Sequence, residues 1–416
     1  MQRITALIIG AGQAGLAMSY CLSRKNIDHI VLERGHVANA WRTERWDSLR
    51  LLTPNWQSRL PGFDDEESNP DEFKTLSQTV RYFDAYARKI DAPVKTGTKV
   101  LNVSRIDNGY CVKTDQGDWL CRTLVLASGT MNTPSIPAFG KQLPSGTRSL
   151  SSREYRNPGE IEDGGVLVVG PSASGVQIAQ ELQLAGRDVT LSVGEHVRMP
   201  RTYRGRDIMW LMDQAGIFDT TIHEVDDLAR VRRLPSMQLI GGPSRSTIGL
   251  NSLQSIGVDI VGRTMAMQDN RVQFSGSLSN VCHLADLKMN RLLRVLDDWA
   301  EFTGLSADLD PRYDLRPTCV PDAPDLSMDL QDRGIKTVIW ASGFRPDYSW
   351  LDLPVLDRHG HLRHDGGVLE LPGLYALGLA FMRKRKSGFI DGVGDDAHAL
   401  STHLATFLAG GVARAA

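Results

Sequence analysis

No stretch of this 416-residue chain reaches the roughly 18 consecutive apolar residues that a membrane-spanning helix needs, so no transmembrane segment is expected. An excess of one charge is missing as well. The 47 lysines and arginines against 49 aspartates and glutamates leave a net charge of −2, which argues against nucleic acid and anionic membrane surfaces as partners. Cysteine is scarce. Cys21, Cys111, Cys121, Cys282 and Cys319 are the five, and none pairs at the close spacing of a redox dithiol or a zinc clip. His359, His361 and His364 do have metal-like spacing, but their polar, glycine-containing surroundings read as a solvated turn, and no metal is expected. No apolar leader precedes the first strand-like run, which leaves no room for a signal peptide and points to a cytoplasmic protein. Low-complexity sequence is confined to an Ala-rich end, expected to fray. What remains is 41% hydrophobic and 23% charged, over a length too great for one ordinary core. That describes a globular protein of two or more domains.

The chain does contain one feature twice. Gly10-Ala11-Gly12-Gln13-Ala14-Gly15 follows an apolar run at 4–9, and Gly170-Pro171-Ser172-Ala173-Ser174-Gly175 follows another at 166–169. Each lies between a strand-like and a helix-like segment. In the first, Gly10 permits a tight turn, Gly12 lets a pyrophosphate approach the backbone, and Gly15 lets the next helix pack on the strand. That helix, expected over roughly 14–24, points its free N–H groups and positive end at the phosphates. A second strand-like run at 30–32 ends in Glu33, beside Arg34, about 20 residues beyond Gly10, where a carboxylate accepts from ribose hydroxyls. Two such cradles imply two dinucleotides held together, and electrons passed from one to the other.

The second turn is less regular. Ser172 stands where the middle glycine belongs; its hydroxyl is small and can donate to a phosphate. The strand at 189–193 ends in Val193 where an acid is expected, and Arg198, Arg201, Arg204 and Arg206 follow. A missing carboxylate with arginine close by favours a 2′-phosphate, hence NADPH over NADH. The opening Gly170-Pro171-Ser172-Ala173 also looks like a nucleophile elbow. That motif needs glycine at 174, where Ser174 stands, so a hydrolase is set aside.

Periodicity divides the chain into a first unit, 1–160 with 333–416, and a second, 161–332. The first is expected to hold a polar loop at 64–71, a helix at 76–90 and a hairpin of strands at 110–114 and 119–125. In the second, an irregular insertion is expected over about 200–285 and a helix over 286–302. Two strands end alike, in Ala127-Ser128-Gly129 and Ala341-Ser342-Gly343, which marks the crossovers between the units. A strand at 374–379 and then, within 388–408, a loop and a helix close the chain. The fold class is α/β, with two Rossmann-like dinucleotide-binding domains, the first discontinuous.

With these residues in view, the sequence resembles the flavin-containing monooxygenases, above all their bacterial single-component branch, related to plant indole-pyruvate monooxygenases. The resemblance covers nearly the whole length. It rests on the first turn with Glu33, on Trp41 and Trp46-Asp47-Ser48-Leu49-Arg50-Leu51, and on the second turn. It rests also on Ala341-Ser342-Gly343-Phe344-Arg345-Pro346 and Ser387-Gly388-Phe389-Ile390-Asp391-Gly392-Val393. It implies FAD at the first turn and NADPH at the second, with NADH as the other donor. It implies that NADPH reduces the flavin, that O2 adds to give a C4a-hydroperoxide, and that a small organic substrate is oxygenated. The lack of a cysteine pair agrees with O2, not a disulfide, as the acceptor. A homodimer fits the class.

The same resemblance implies roles for single residues. Trp41, Ser48 and Leu49 would flank the flavin, and Val100 would offer its backbone to the adenine. Gly129 and Gly343 belong with the two cradles, and Gly392 and Val393 with the flavin pyrimidine, where a helix end would stabilise the reduced ring. Trp46, Ser48, Asn55 and Lys386 are the candidates for the reacting centre. Lys386 lies in the run Arg383-Lys384-Arg385-Lys386, whose charge would stabilise reduced flavin or attract an anionic substrate. Three positions depart from the family pattern. Ser151 stands where a fingerprint histidine belongs, with only Tyr155 in place. Asn55 falls one position late, after Thr53-Pro54, and Ser172 replaces glycine. The first weakens a Baeyer–Villiger reading. An NADPH oxidase or dehydrogenase flavoprotein that releases hydrogen peroxide is the alternative.

Overall fold

A computed structural model describes residues 1–63 and 69–410. Most of the polar loop expected over 64–71 lies outside the described residues, as does the Ala-rich end. Among the described residues no helix is long and apolar enough to cross a membrane.

Two parallel sheets carry the two glycine turns. In the first, Val94–Lys95, His29–Leu32, Gln2–Ile9, Trp119–Leu126 and Leu374–Ala376 lie side by side in that order. Gly109–Thr114 pairs antiparallel with Trp119–Leu126 as the expected hairpin, and Val100–Ile106 extends it on the far side of Gly109–Thr114. In the second, the order is Asp259–Gly262, Val189–Val193, Gly165–Val169, Ile335–Trp340 and Arg148–Ser151. Gly165–Val169 and Val189–Val193 are buried along their whole length, as strands covered on both faces must be. Counted outward from the strand that enters its glycine turn, the two sheets have the same spatial order. The difference is that the outermost strand of the second sheet, Arg148–Ser151, precedes the others in the chain.

That difference corrects the expected boundaries. The run at 337–340, expected to open the return to the first unit, lies within Ile335–Trp340 and pairs with both Gly165–Val169 and Arg148–Ser151. By sheet membership the second unit spans about 148–341, not 161–332. An apolar run identifies a buried strand, but not which of two sheets buries it. The insertion also ends sooner than expected. It is irregular, with short helices at Ile208–Gln214 and Leu228–Arg232, only until Leu250–Ser255. The third strand of the sheet and the hairpin Thr264–Gln268 with Arg271–Phe274 follow. The helix expected at 286 begins at Leu278, because buried Leu278, Cys282 and Ala285 continue its apolar stripe backward.

The chain passes between the units twice, and the passages pair with each other. Thr133–Pro134 lies antiparallel to Phe344–Arg345, and the Ser342 hydroxyl donates to the Ser135 carbonyl. A buried carboxylate adds a second tie. Glu44 accepts from Arg34, just past His29–Leu32, at 2.6 Å and from Arg153, just past Arg148–Ser151, at 2.7 Å.

Candidate active site

Both glycine turns close on a neighbouring strand end in the same way. A Cβ on Gly10 (φ +106°) would lie 2.5 Å from the Ala127 oxygen, and one on Gly170 (φ +117°) 2.5 Å from the Ala341 oxygen. A Cβ on Gly15 would stand 1.8 Å from the Gly10 oxygen, and one on Gly175 1.7 Å from the Gly170 oxygen. The fold itself demands these four glycines. Gly12 is different, since a Cβ there would meet nothing within 4 Å. The open space beside it is what a pyrophosphate approaching the backbone requires. Gly12 and Ser172 cap the helices Gln13–Ser23 and Ala173–Leu184, and neither start has a side-chain cap. Their first N–H groups remain for an anion. Glu33, 7% exposed, accepts from the Ala11 amide at 2.9 Å and the Gly35 amide at 3.0 Å. Its carboxylate is thus fixed at the edge of the turn, with lone pairs left for ribose hydroxyls. The residues present fit FAD at the first turn and a nicotinamide dinucleotide at the second. Ala127-Ser128-Gly129 and Ala341-Ser342-Gly343 are equivalent walls of these two cradles.

The C-terminal segment completes the first cradle. Gln13 Nε2 donates to the Gly388 carbonyl at 2.9 Å, and a Cβ on Gly378 would press on Ala14 at 2.8 Å. The helix Val393–Leu408 starts where the family resemblance placed it, capped by Gly392, and shares a core with Gln13–Ser23. Its first turn is not bare, however, because Asp395 and Asp396 occupy it. Asp396 is 2% exposed with its Oδ2 unpartnered, and burial holds its carboxyl up at about 6. A carboxyl raised in the folded state costs nothing while both states are protonated. Its cost grows as pH rises from the unfolded value toward the folded one, and persists above it. Asp396→Asn should therefore stabilise the protein by about 2–3 kcal/mol above pH ~7, and most of that gain should vanish by pH ~4. Melts of both proteins across that range test this. A variant no more stable at alkaline pH would mean that the ionised carboxylate is compensated.

The four candidates for the reacting centre fare unequally. Trp46 and Leu49, 5% and 7% exposed, fill the core of the second unit with Leu150, Tyr155 and Val168. Trp46 reads in sequence equally as a core aromatic or as a wall of the substrate cavity, and in the structure it packs as core. Asn55 donates to the Asn69 carbonyl at 2.7 Å and accepts from Lys74 at 3.3 Å, so its amide holds its own loop. Lys386 pairs with Asp219 at 3.1 Å, an aspartate that Lys384 also reaches at 3.0 Å. Ser48 is exposed. Trp41 stacks on Phe83 with centroids 6.3 Å apart, and Val100 packs in the cluster that holds Ile9 and Leu32. Ser151, at the fingerprint position, is fully buried and donates its hydroxyl to Glu154 at 2.7 Å, closing a turn.

The arginines after the second strand are mostly spent on aspartates. Arg198 pairs with Asp286 at 2.5 Å, Arg201 with Asp207, and Arg204 with Asp297 at 3.0 Å. Arg206 lies over the Trp210 ring. Two residues that sequence reasoning missed stand closer to the second cradle. Gln238, fully buried, donates from Nε2 to the Pro171 carbonyl at 2.7 Å and fastens the insertion to the turn. The stem of exposed Arg263 lies 3.5 Å from where a Cβ on Gly194 would be, just past Val189–Val193. Only the sheet order, with Asp259–Gly262 beside Val189–Val193, brings Arg263 there.

The family model of the pyridine nucleotide-disulphide oxidoreductases matches residues 7–206. A CzcO-like oxidoreductase of Geobacillus kaustophilus (strain HTA426) is 31% identical over 405 residues, 96% of this chain and 98% of that one. A probable indole-3-pyruvate monooxygenase of Arabidopsis thaliana, YUCCA1, is 32% identical over 181 residues, 42% of this chain and 44% of that one. Among solved structures, a flavin-containing monooxygenase from Stenotrophomonas maltophilia superposes with a TM-score of 0.67 at 20% identity. It covers 98% of this chain and 100% of that one, a likeness of fold. Matched end to end by the Geobacillus relative, the chain belongs to the CzcO-like oxidoreductases and is an FAD- and NAD(P)H-dependent oxidoreductase.

Proposed function

We propose that the protein is a monooxygenase that uses NADPH and O2 to oxygenate a small organic substrate between its two nucleotide cradles. The observation that carries this reading is the state of the cysteines. All five are free, and burial pushes the thiols of Cys21, Cys121 and Cys282 up to about 11, about 12 and about 12. A disulfide relay needs a thiolate of lowered pKa, and these are the reverse. With no dithiol to receive electrons, O2 is the acceptor that fits. Bound FAD supplies hydride acceptance and oxygen activation. The chain supplies position and dryness. The amides at the start of Gln13–Ser23 hold a pyrophosphate, Glu33 accepts from a ribose, the Ser172–Gly175 turn holds the nicotinamide dinucleotide, and Trp46 and Leu49 seal the seam between units against water.

The test is substrate-stimulated NADPH consumption by the FAD-loaded protein, screened over amines, sulfides and ketones, with product mass followed. A product heavier by one oxygen, formed in step with NADPH, is expected. Hydrogen peroxide formed in step with NADPH, with every substrate unchanged, would replace this reading by the oxidase. The turn that Ser151 makes, in place of the fingerprint histidine, is the feature that favours that alternative.

A further inference from the structure

Many guanidinium groups in this protein are answered by carboxylates, and others by several neutral acceptors, as Arg156 is by four backbone carbonyls and Arg45 by the Glu44 carbonyl and the Met131 sulfur. Arg198, Arg201 and Arg204 each have an aspartate, and Arg34 and Arg153 share Glu44. Arg232 and Arg385 depart from this. Both are half-buried, burial lowers the pKa of each, and among the described residues neither has a carboxylate within ion-pairing distance. Arg385 Nε is buried without a hydrogen-bond partner. The two side chains converge on one residue. Arg232 Nε donates to the Phe381 carbonyl at 3.2 Å, and the Arg385 guanidinium lies 5.3 Å from the centroid of the Phe381 ring.

Among the described residues no carboxylate pairs with either. Their neighbours in the basic run are satisfied, Lys384 and Lys386 by Asp219 and Arg383 by the Gly366 carbonyl. His364, beside Arg232, is kept neutral by burial and by the Arg232 charge, down at about 4. A desolvated cation without a counter-ion costs stability, and a protein retains one where an anion completes the site. Phe381, buried and held at φ +44°, carries backbone strain at the same point. The location matters too. Arg385 opens the turn Arg385–Gly388, and the Gly388 carbonyl is the one that Gln13 of the first cradle binds. Arg232 ends Leu228–Arg232, in the insertion.

We propose that Arg232 and Arg385 form an anion subsite around Phe381 that receives a carboxylate or phosphate group of the substrate, so that the substrate is an organic anion. The guanidinium forks match either group in charge and geometry. The oxygenation of that substrate rests on the monooxygenase reading; the binding does not.

Calorimetric titration of the FAD-loaded protein with benzoate and, separately, with inorganic phosphate tests this. Saturable binding of at least one is expected, weakened at least ~10-fold in Arg232→Gln and in Arg385→Gln and unchanged in Arg291→Gln, an exposed position on Leu278–Phe302. Benzoate binding alone marks a carboxylate substrate, and phosphate binding alone a phosphorylated one. Without added anion, Arg385→Met should melt no lower than the parent protein, because it removes an unanswered charge. The bound anion should raise the Tm of the parent only. Binding of neither anion, or binding untouched by both substitutions, overturns the subsite. Flavin reduction by NADPH, followed in the same preparations, reports on the enzyme reading separately.

Discussion

Gly12→Asp should fold normally and purify without colour. The backbone at Gly12, φ −86°, suits any residue, and a Cβ there meets nothing within 4 Å. Aspartate is a favoured N-cap, so the Gln13–Ser23 helix should keep or gain stability. What the substitution removes is the space and the positive potential at the helix start, because the new carboxylate would sit where the pyrophosphate must lie. FAD affinity should fall at least ~100-fold, equivalent to about 3 kcal/mol. Gly15→Ala makes the contrast. Its Cβ would stand 1.8 Å from the Gly10 oxygen, a backbone atom that cannot turn away. That variant should lose soluble folded protein, and FAD only as a consequence. Visible flavin absorbance, circular dichroism and titration of the apoprotein with FAD separate the two outcomes. A yellow Gly12→Asp protein with parental affinity would mean that the dinucleotide does not pass over this turn. NADP+ binding at the second cradle should survive Gly12→Asp, because Ser172 and Gly175 belong to the other sheet.

The parts of this molecule that were legible in sequence are those fixed by short-range chemistry. Gly10 and Gly15 advertise a turn that only glycine can make, Gly12 the open space beside it, and Glu33 follows at the distance set by one helix and one strand. The helix start near Val393 came instead from the family resemblance, and the structure begins the helix at Val393. The failures are long-range. Whether the apolar run at 337–340 joined the first sheet or the second depended on Arg148–Ser151, a strand nearly 200 residues earlier. Trp46 reads equally well as a cavity wall or as core, and the second unit's core decided it. The cluster after the second strand misled most. Arg198 and Arg204 look like phosphate ligands until Asp286 and Asp297, on a helix some 80–100 residues on, are folded against them.

That last case makes the sharpest test of what these arginines do. Asp297→Ala should cost the unit that carries it about 3–5 kcal/mol, because it strands a buried guanidinium. Asp297 accepts from Arg204 at 3.0 Å and from the Tyr203 hydroxyl at 2.9 Å, and Arg312 lies 3.6 Å away. With it gone, Arg204 keeps only neutral acceptors, the Asp310 carbonyl at 2.8 Å and Ser306, while remaining 4% exposed. A loss of that size is a large share of what an ordinary domain has. Arg204→Met should cost less, since it removes the charge along with its partner's purpose. The pair Arg204→Met with Asp297→Leu should recover part of the loss, because buried ion pairs replaced by packed apolar groups are often neutral. Denaturant melts of the four proteins give the coupling directly. If these arginines are structural, the ratio of NADP+ to NAD+ affinity should stay constant across the series while stability moves. A ratio that collapses in Arg204→Met with the melt unchanged would return Arg204 to the 2′-phosphate.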